Sequence, residues 1–181
     1  MRFSGFLGIL SPLFGFSTVF NAIRVSPWFD WSRNALSDLG VSGLGALIFN
    51  SGLVITGFLL IIFSFGLLEY ANRGMGKIGS YIFLFGSFFL LSIGVFDERF
   101  GIIHFYVSIG FFVSLIFSLL VFGFYFLSEK DIPFGIISLI VGTIGIFVWS
   151  LQWEGVAIPE TVSSLAAGIW SSSLGVKMMK T

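Results

Sequence analysis

Six long apolar runs divide the chain: Phe3–Phe20, Gly45–Leu68, Ile78–Phe96, Ile102–Leu127, Phe134–Leu151 and Thr161–Val176. Each is bounded by charges or by glycine and proline. A helix needs about 20 mostly apolar residues to cross a bilayer, and these runs sit near that length. A spanning strand needs about 10 residues of alternating polarity; the runs are too long and too uniformly apolar for that. Only helices and closed barrels satisfy their backbone groups in lipid. The pattern therefore predicts an all-α polytopic membrane protein, a single six-helix transmembrane bundle over residues 1–181 with short loops. The sixth run is the least apolar, because it carries Ser163, Ser164, Ser171, Ser172 and Ser173. It is expected to face its neighbours rather than lipid.

The first run has a basic start and invites comparison with a secretory signal. Phe3–Phe20 is longer than a signal core of about 7–15 residues, and Phe20-Asn21-Ala22 is a poor cleavage site. It reads as the first membrane helix. Small residues recur at seven-residue spacing, Gly79 with Gly86, Ser80 with Ser87 and Gly94, and Gly135 with Gly142. Such stripes let helix backbones approach closely in lipid. Gly142-Thr143-Ile144-Gly145 lies inside an apolar run and reads as packing, not as a phosphate loop.

Composition sharpens this picture. The chain is 56% hydrophobic and 10% charged, against about 25% charged in soluble domains. Net charge is zero, so nothing points to a nucleic-acid partner. The absence of cysteine and the single histidine exclude disulfides, thiolate zinc sites and zinc sites built on several histidines of one chain. No metal or cofactor is expected.

Loop charges orient the bundle. The side of the N-terminus holds Arg2, Arg73, Lys77, Lys130, Lys177 and Lys180; the opposite side holds Arg24, Arg33 and Arg99. This six-to-three bias in Lys and Arg puts both termini in the cytoplasm of a multi-pass cell-membrane protein. Most acids, and Trp28, Trp31, Trp149 and Trp153, gather on the opposite, outer side. Interfacial tryptophan reads first as an aromatic belt. The longest loop, Arg24–Gly43, mixes aromatics with charges. It is either a connector hugging the membrane or a lid over a pocket, and its apolar rings predict that it packs over the bundle ends.

Candidate chemistry collects on that outer side. Asn50 lies within the second run, His104 just inside the fourth, Glu160 at the start of the sixth, and Arg24 and Asp38 flank the long loop. Polar groups at membrane depth are costly and often functional. Asn50, His104 and Glu160 are expected to face one shared cavity, with Arg24 and Asp38 near its mouth. Each has a plain structural alternative. Acids at helix N-termini offset the positive dipole end; Ser37 or Asp38 can cap the second helix, and Pro159 suits a first helical position with Glu160 beside it. Asn50 and His104 can simply bond a neighbouring helix. If the site is catalytic, His104, Glu160 and Asp38 are its candidates, since one histidine plus acids suffices for acid–base chemistry.

Asn34-Ala35-Leu36-Ser37-Asp38-Leu39-Gly40, followed by Ile48-Phe49-Asn50-Ser51-Gly52-Leu53, resembles the signature region of the prokaryotic membrane family called domain of unknown function 998. Gly94-Val95-Phe96-Asp97-Glu98 with His104 is similar to that family's third-to-fourth-helix hairpin, although a proline often stands there at the place of Asp97. Ala157-Ile158-Pro159-Glu160, with Trp170 ten residues on, resembles the end of the pattern. The resemblance implies a six-helix membrane domain and no established activity. A more distant similarity to Frag1/DRAM-like membrane proteins, some of which act in lipid-anchor remodelling, implies lipid handling. Alkaline-ceramidase-like hydrolases need several histidines for zinc, and this chain has one.

Three readings follow. The first is binding or movement of a lipid headgroup or small amphiphile through a polar pocket in the outer half. The second is a metal-independent hydrolase or transferase using His104 with an acidic partner. The third is a structural subunit. The expected partners are membrane lipid and a small-molecule or lipid ligand. A cavity that reaches His104 favours the first two; a solid core with Asn50 and His104 fully paired favours the third. The orientation is checked with reporter fusions: one after Thr181 is expected to report cytoplasm, and one within Arg24–Gly43 the outside. An external C-terminus overturns the even helix count or the charge rule applied here.

Overall fold

The computed structural model describes residues 1–180; Thr181 lies outside the described residues. Each apolar run forms one helix, with ends displaced by a few residues: α1 (Arg2–Arg24), α2 (Gly43–Tyr70), α3 (Gly74–Val95), α4 (Ile102–Ser128), α5 (Ile132–Ser150) and α6 (Ala157–Met179). Short 3-10 turns at Leu36–Gly40 and Glu98–Phe100 interrupt two connections, and no strand occurs among the described residues. Five helices, α1 to α5, are long and apolar enough to cross a membrane, so the protein is a multi-pass membrane bundle. The sixth, α6, has the length, at 23 residues, but its serines and Glu160 dilute its hydropathy. Its position explains how it tolerates them. It packs between α1 and α5 and buries Ser163, Ala167, Trp170, Ser171, Leu174 and Met178.

The helices follow one another around the bundle, and α1 closes on α6. A Cβ placed on Gly5 at the start of α1 would stand 2.6 Å from the carbonyl oxygen of Gly175 near the end of α6. Both chain ends therefore share one face with the tight turns 71–73 and 129–131. The opposite face carries the long segment 25–42, with 96–101 and 151–156 beside it. It is called the loop face below.

Small residues set the helix spacing. The buried positions of α5 are Gly135, Ser138, Gly142, Gly145 and Val148. Leu127, Leu120 and Ile116 of α4 press onto the three glycines, while Leu139 returns the contact at Gly123. Gly79, Ser80, Gly86 and Ser87 are buried on α3, as the seven-residue spacing predicts. Hydroxyls then bond across the seams: Ser118 donates to the Gly79 carbonyl at 2.9 Å, and Ser64 and Ser87 stand 3.3 Å apart. Pro12 lies inside α1. It has no N–H for the carbonyl four residues back, which is that of Gly8, and Ser171 of α6 donates to that carbonyl at 3.2 Å.

An aromatic core fills the middle of the bundle. Trp170 is fully buried, with ring centroids 5.9 Å from Phe83 and 5.2 Å from Phe122. Its indole N–H donates to Ser138 at 2.7 Å, which removes the cost of burying a polar tip. At the turn face Lys177 pairs with Asp131 and lies 4.5 Å from the Phe134 ring centroid.

The α2–α3 seam yields a test. A Cβ on Gly57 of α2 would stand 2.6 Å from the backbone nitrogen of Leu91 on α3. Gly57→Val is expected to cost about 1–3 kcal/mol, the usual range for overpacking, in unfolding measured in lipid–detergent mixtures. Ile55→Val, at an exposed position of the same helix, should change stability by about 0.5 kcal/mol or less.

Candidate functional site

The loop between α1 and α2 is organised by its own acids and amides. Asp30 Oδ1 accepts from the N–H and hydroxyl of Ser32, at 2.8 and 2.9 Å, and Asn34 Oδ1 accepts from the Asp30 N–H. Asp38 Oδ2 then accepts from Asn34 Nδ2 at 2.7 Å and from the Ala35 N–H at 2.9 Å. Asp38 thus caps the 3-10 turn Leu36–Gly40. It does not cap α2, whose N-cap is Ser42 without a side-chain bond. Leu36, Ser37, Leu39 and Gly40 are buried.

The turn and the segment before it are fastened to the bundle by hydrogen bonds. The Leu36 N–H donates to Glu160 Oε2 at 2.7 Å, and the Ser37 hydroxyl donates to Glu98 Oε1 at 2.8 Å. The N–H groups of Gly155 and Ala157 donate to the carbonyls of Ser32 and Asn34, at 2.8 and 2.9 Å. A Cβ at Gly155 would meet the Arg33 carbonyl carbon at 2.3 Å, so this approach of two backbones requires glycine. The loop therefore packs over the bundle end, as its composition predicts. Of the expected aromatics, Phe29 packs against the core, while Trp28 and Trp31 remain 53% and 38% exposed; the buried anchors are Leu36 and Leu39.

Of the acids expected at the starts of α2, α4 and α6, only Glu160 stands in the first turn of its helix. Asp97 caps the turn Glu98–Phe100 by accepting the Arg99 N–H, and it also takes the Arg99 guanidinium, which holds its carboxyl below the usual range. Glu160 sits in the first turn of α6, yet its side chain leaves that helix end for Leu36. Helix α6 begins at Ala157, so Pro159 is its third residue rather than its first.

Gly101, with φ at +54°, adopts a backbone that L side chains rarely take and turns the chain sharply into α4. His104 is thereby brought against the preceding segment. A carbonyl can only accept, so the 2.8 Å contact makes Nδ1–H the donor to the Phe96 oxygen. In the neutral ring Nε2 is then the acceptor, and the Ser108 hydroxyl lies 3.3 Å from it. His104 is 8% exposed and Glu160 is 9% exposed.

His104 and Glu160 line one cavity of about 550 Å³. Ser37, Glu98 and Ser108 complete its polar part, and Phe105, Ile109, Phe112, Val113, Ile116 and Trp149 form apolar walls between α4 and α5. A second, more apolar cavity of about 130 Å³ lies in the bundle centre, and Ser37, Ser108, Phe112 and Glu160 border both. Three carboxyl groups act on one another here: Asp38 raises the carboxyl of Glu98, and both act electrostatically on Glu160. Burial pushes the half-buried Glu98 carboxyl above its ordinary range; the Ser37 hydroxyl opposes this and Asp38 adds to it.

Residues 9–177 match the family described as "Protein of unknown function (DUF998)". The chain belongs to this family. The match takes in every element that builds the site. No curated protein and no solved structure matches the chain.

Two candidates are not brought to the cavity of this DUF998 protein. Asn50 donates through Nδ2 to the Gly40 carbonyl at 2.9 Å, so its amide holds the end of the loop, and it lines neither cavity. Arg24 is exposed at the end of α1 and also lines neither. Asp38 is not a lining residue but touches the site through Glu98. Sequence reasoning missed Ser108 and the role of Glu98. Ser108 had a signal, since it follows His104 by four residues and shares its helix face. Glu98 had none, because its partner Ser37 is 61 residues away.

The raised Glu98 carboxyl predicts a pH dependence. An acid that binds its proton more tightly when folded contributes stability below its unfolded pKa, lost as pH rises through the folded one. Glu98→Gln should therefore match wild type in acid and become the more stable of the two as pH rises past the ordinary carboxylate range. Thermal unfolding of both proteins between pH 4 and pH 8, roughly spanning the carboxylate-to-neutral range, checks this. A constant difference across that range refutes it.

Proposed function

We propose that this protein binds or moves a lipid headgroup or small amphiphile through the loop-face cavity and that this face is the outer one, a reading supported by the charge bias. One observation carries the reading: a single cavity is polar at one end, with Glu98, His104 and Glu160, and apolar along α4 and α5. A headgroup fits the first part and a hydrocarbon tail the second. The volume of about 550 Å³ falls within the roughly 300–1,000 Å³ of ordinary ligand sites.

One observation favours a second reading, a metal-independent hydrolase or transferase. Ser108 Oγ stands 3.3 Å from His104 Nε2, and Nδ1 is held by the Phe96 carbonyl. That is the order nucleophile, base and orienting group. The acids around it weaken the case, because they oppose the negative charge that acyl transfer develops.

Lipids co-purified with the protein and identified by mass spectrometry are expected to include an amphiphile enriched over the host membrane. His104→Ala should lower its occupancy by about tenfold or more, the equivalent of one lost polar contact, with a small effect on thermal stability. Equal loss of occupancy and stability favours a structural role. Loss of ester hydrolysis in Ser108→Ala with occupancy intact favours the second reading.

A further inference from the structure

We infer that the headgroup taken by the loop-face cavity is a protonated amine, carried on a single alkyl chain. This rests on the amphiphile reading above and names the chemistry that such a ligand needs.

The lining residues have spent their donors. The Ser37 hydroxyl donates to Glu98, at 2.8 Å. The Ser108 hydroxyl faces the acceptor nitrogen of neutral His104, whose own N–H is held by the Phe96 carbonyl. The Trp149 indole N–H donates away from the cavity, to Ser163 at 3.1 Å. What remains on the wall are acceptors. Glu160 is nine-tenths buried; one carboxyl oxygen takes the Leu36 N–H, and among the described residues nothing donates to the other. That carboxyl borders both cavities.

Charge points the same way. Among the described residues no lysine or arginine lines either cavity. The nearest cation in sequence, Arg99, has its side chain 65% exposed and is paired with Asp97. A phosphate or carboxylate headgroup would enter a site of two lining carboxyls with no cation and no free donor, which is unfavourable on both counts. An alcohol supplies one donor and no charge. An ammonium supplies three donors and the positive charge that the site of Glu98 and Glu160 lacks. Its charge also favours the ionised form of the Glu98 carboxyl, which burial and Asp38 disfavour. The apolar wall is an open strip along one face of α4, including Phe105, Ile109, Phe112 and Ile116, with Trp149 of α5 beside it. A strip of that form suits one alkyl chain.

The test uses the full chain in phosphatidylcholine nanodiscs at pH 8, above the ordinary imidazole range of about 6.5. The probes are dodecylammonium, dodecanol and dodecyl phosphate, and the readout is the thermal unfolding midpoint. Glu98→Gln and Glu160→Gln each keep an acceptor oxygen for the loop while removing charge. Dodecylammonium is expected to raise the wild-type midpoint by on the order of 5 °C, dodecanol by less than half as much, and dodecyl phosphate not at all. Each variant should lose at least half of the amine effect. If dodecanol or dodecyl phosphate equals the amine, the amine assignment is overturned and amphiphile binding stands. If the amine effect is the same in both variants, it comes from the bilayer and the assignment fails. If no probe shifts the midpoint, both readings fall.

Discussion

Lipid tails are as apolar as leucine, so burying one apolar helix face against another gives little driving force inside a bilayer. Close backbone approach and interhelical hydrogen bonds have to do that work. In this bundle the approach depends on positions without side chains. Gly135, Gly142 and Gly145 let α5 settle onto the leucine and isoleucine side chains of α4, and Gly57 and Gly94 let α2 and α3 come into backbone contact. Bringing the helices this near also puts hydroxyls within reach of carbonyls. Ser118 finds the Gly79 oxygen, and Ser171 finds the one that Pro12 leaves without a partner.

The same constraint accounts for α6. A helix with five serines and a glutamate is a poor partner for lipid. Enclosed by α1 and α5, it converts those groups into contacts: Trp170 to Ser138, Trp149 to Ser163, Ser171 to Gly8, and Glu160 to the loop. The most polar helix is the one that knits the ring closed.

At the loop face the requirement turns from helix packing to satisfying an irregular backbone. The turn Leu36–Gly40 is largely buried, and the N–H and hydroxyl groups at its start need acceptors. Three carboxyl groups serve it: Asp38 at Ala35, Glu160 at Leu36 and Glu98 at Ser37. Holding the turn there gathers like charges beside a gap between α4, α5 and α6, where α4 and α6 barely meet. The cavity and its acidity thus share one structural cause.

The apolar runs by themselves determined that the chain is a bundle of membrane helices, because hydrocarbon length and backbone satisfaction leave no other solution for runs of that length. The seven-residue stripes marked the packing faces of α3 and α5, since a helix repeats its faces at that spacing. The polar character of the sixth run foretold its neighbours. Placement of His104 and Glu160 near one bundle end was legible as well, from depth along each helix. Which polar groups meet was not. Asn50 has the depth expected of a site residue, but the rotation of α2 turns its amide to the loop. Glu98 reads as an acid at a helix start, and only the fold of a segment 61 residues earlier gives it Ser37. Helix rotation and loop docking depend on contacts distant in sequence, so they are decided by the packed structure and not by any local pattern.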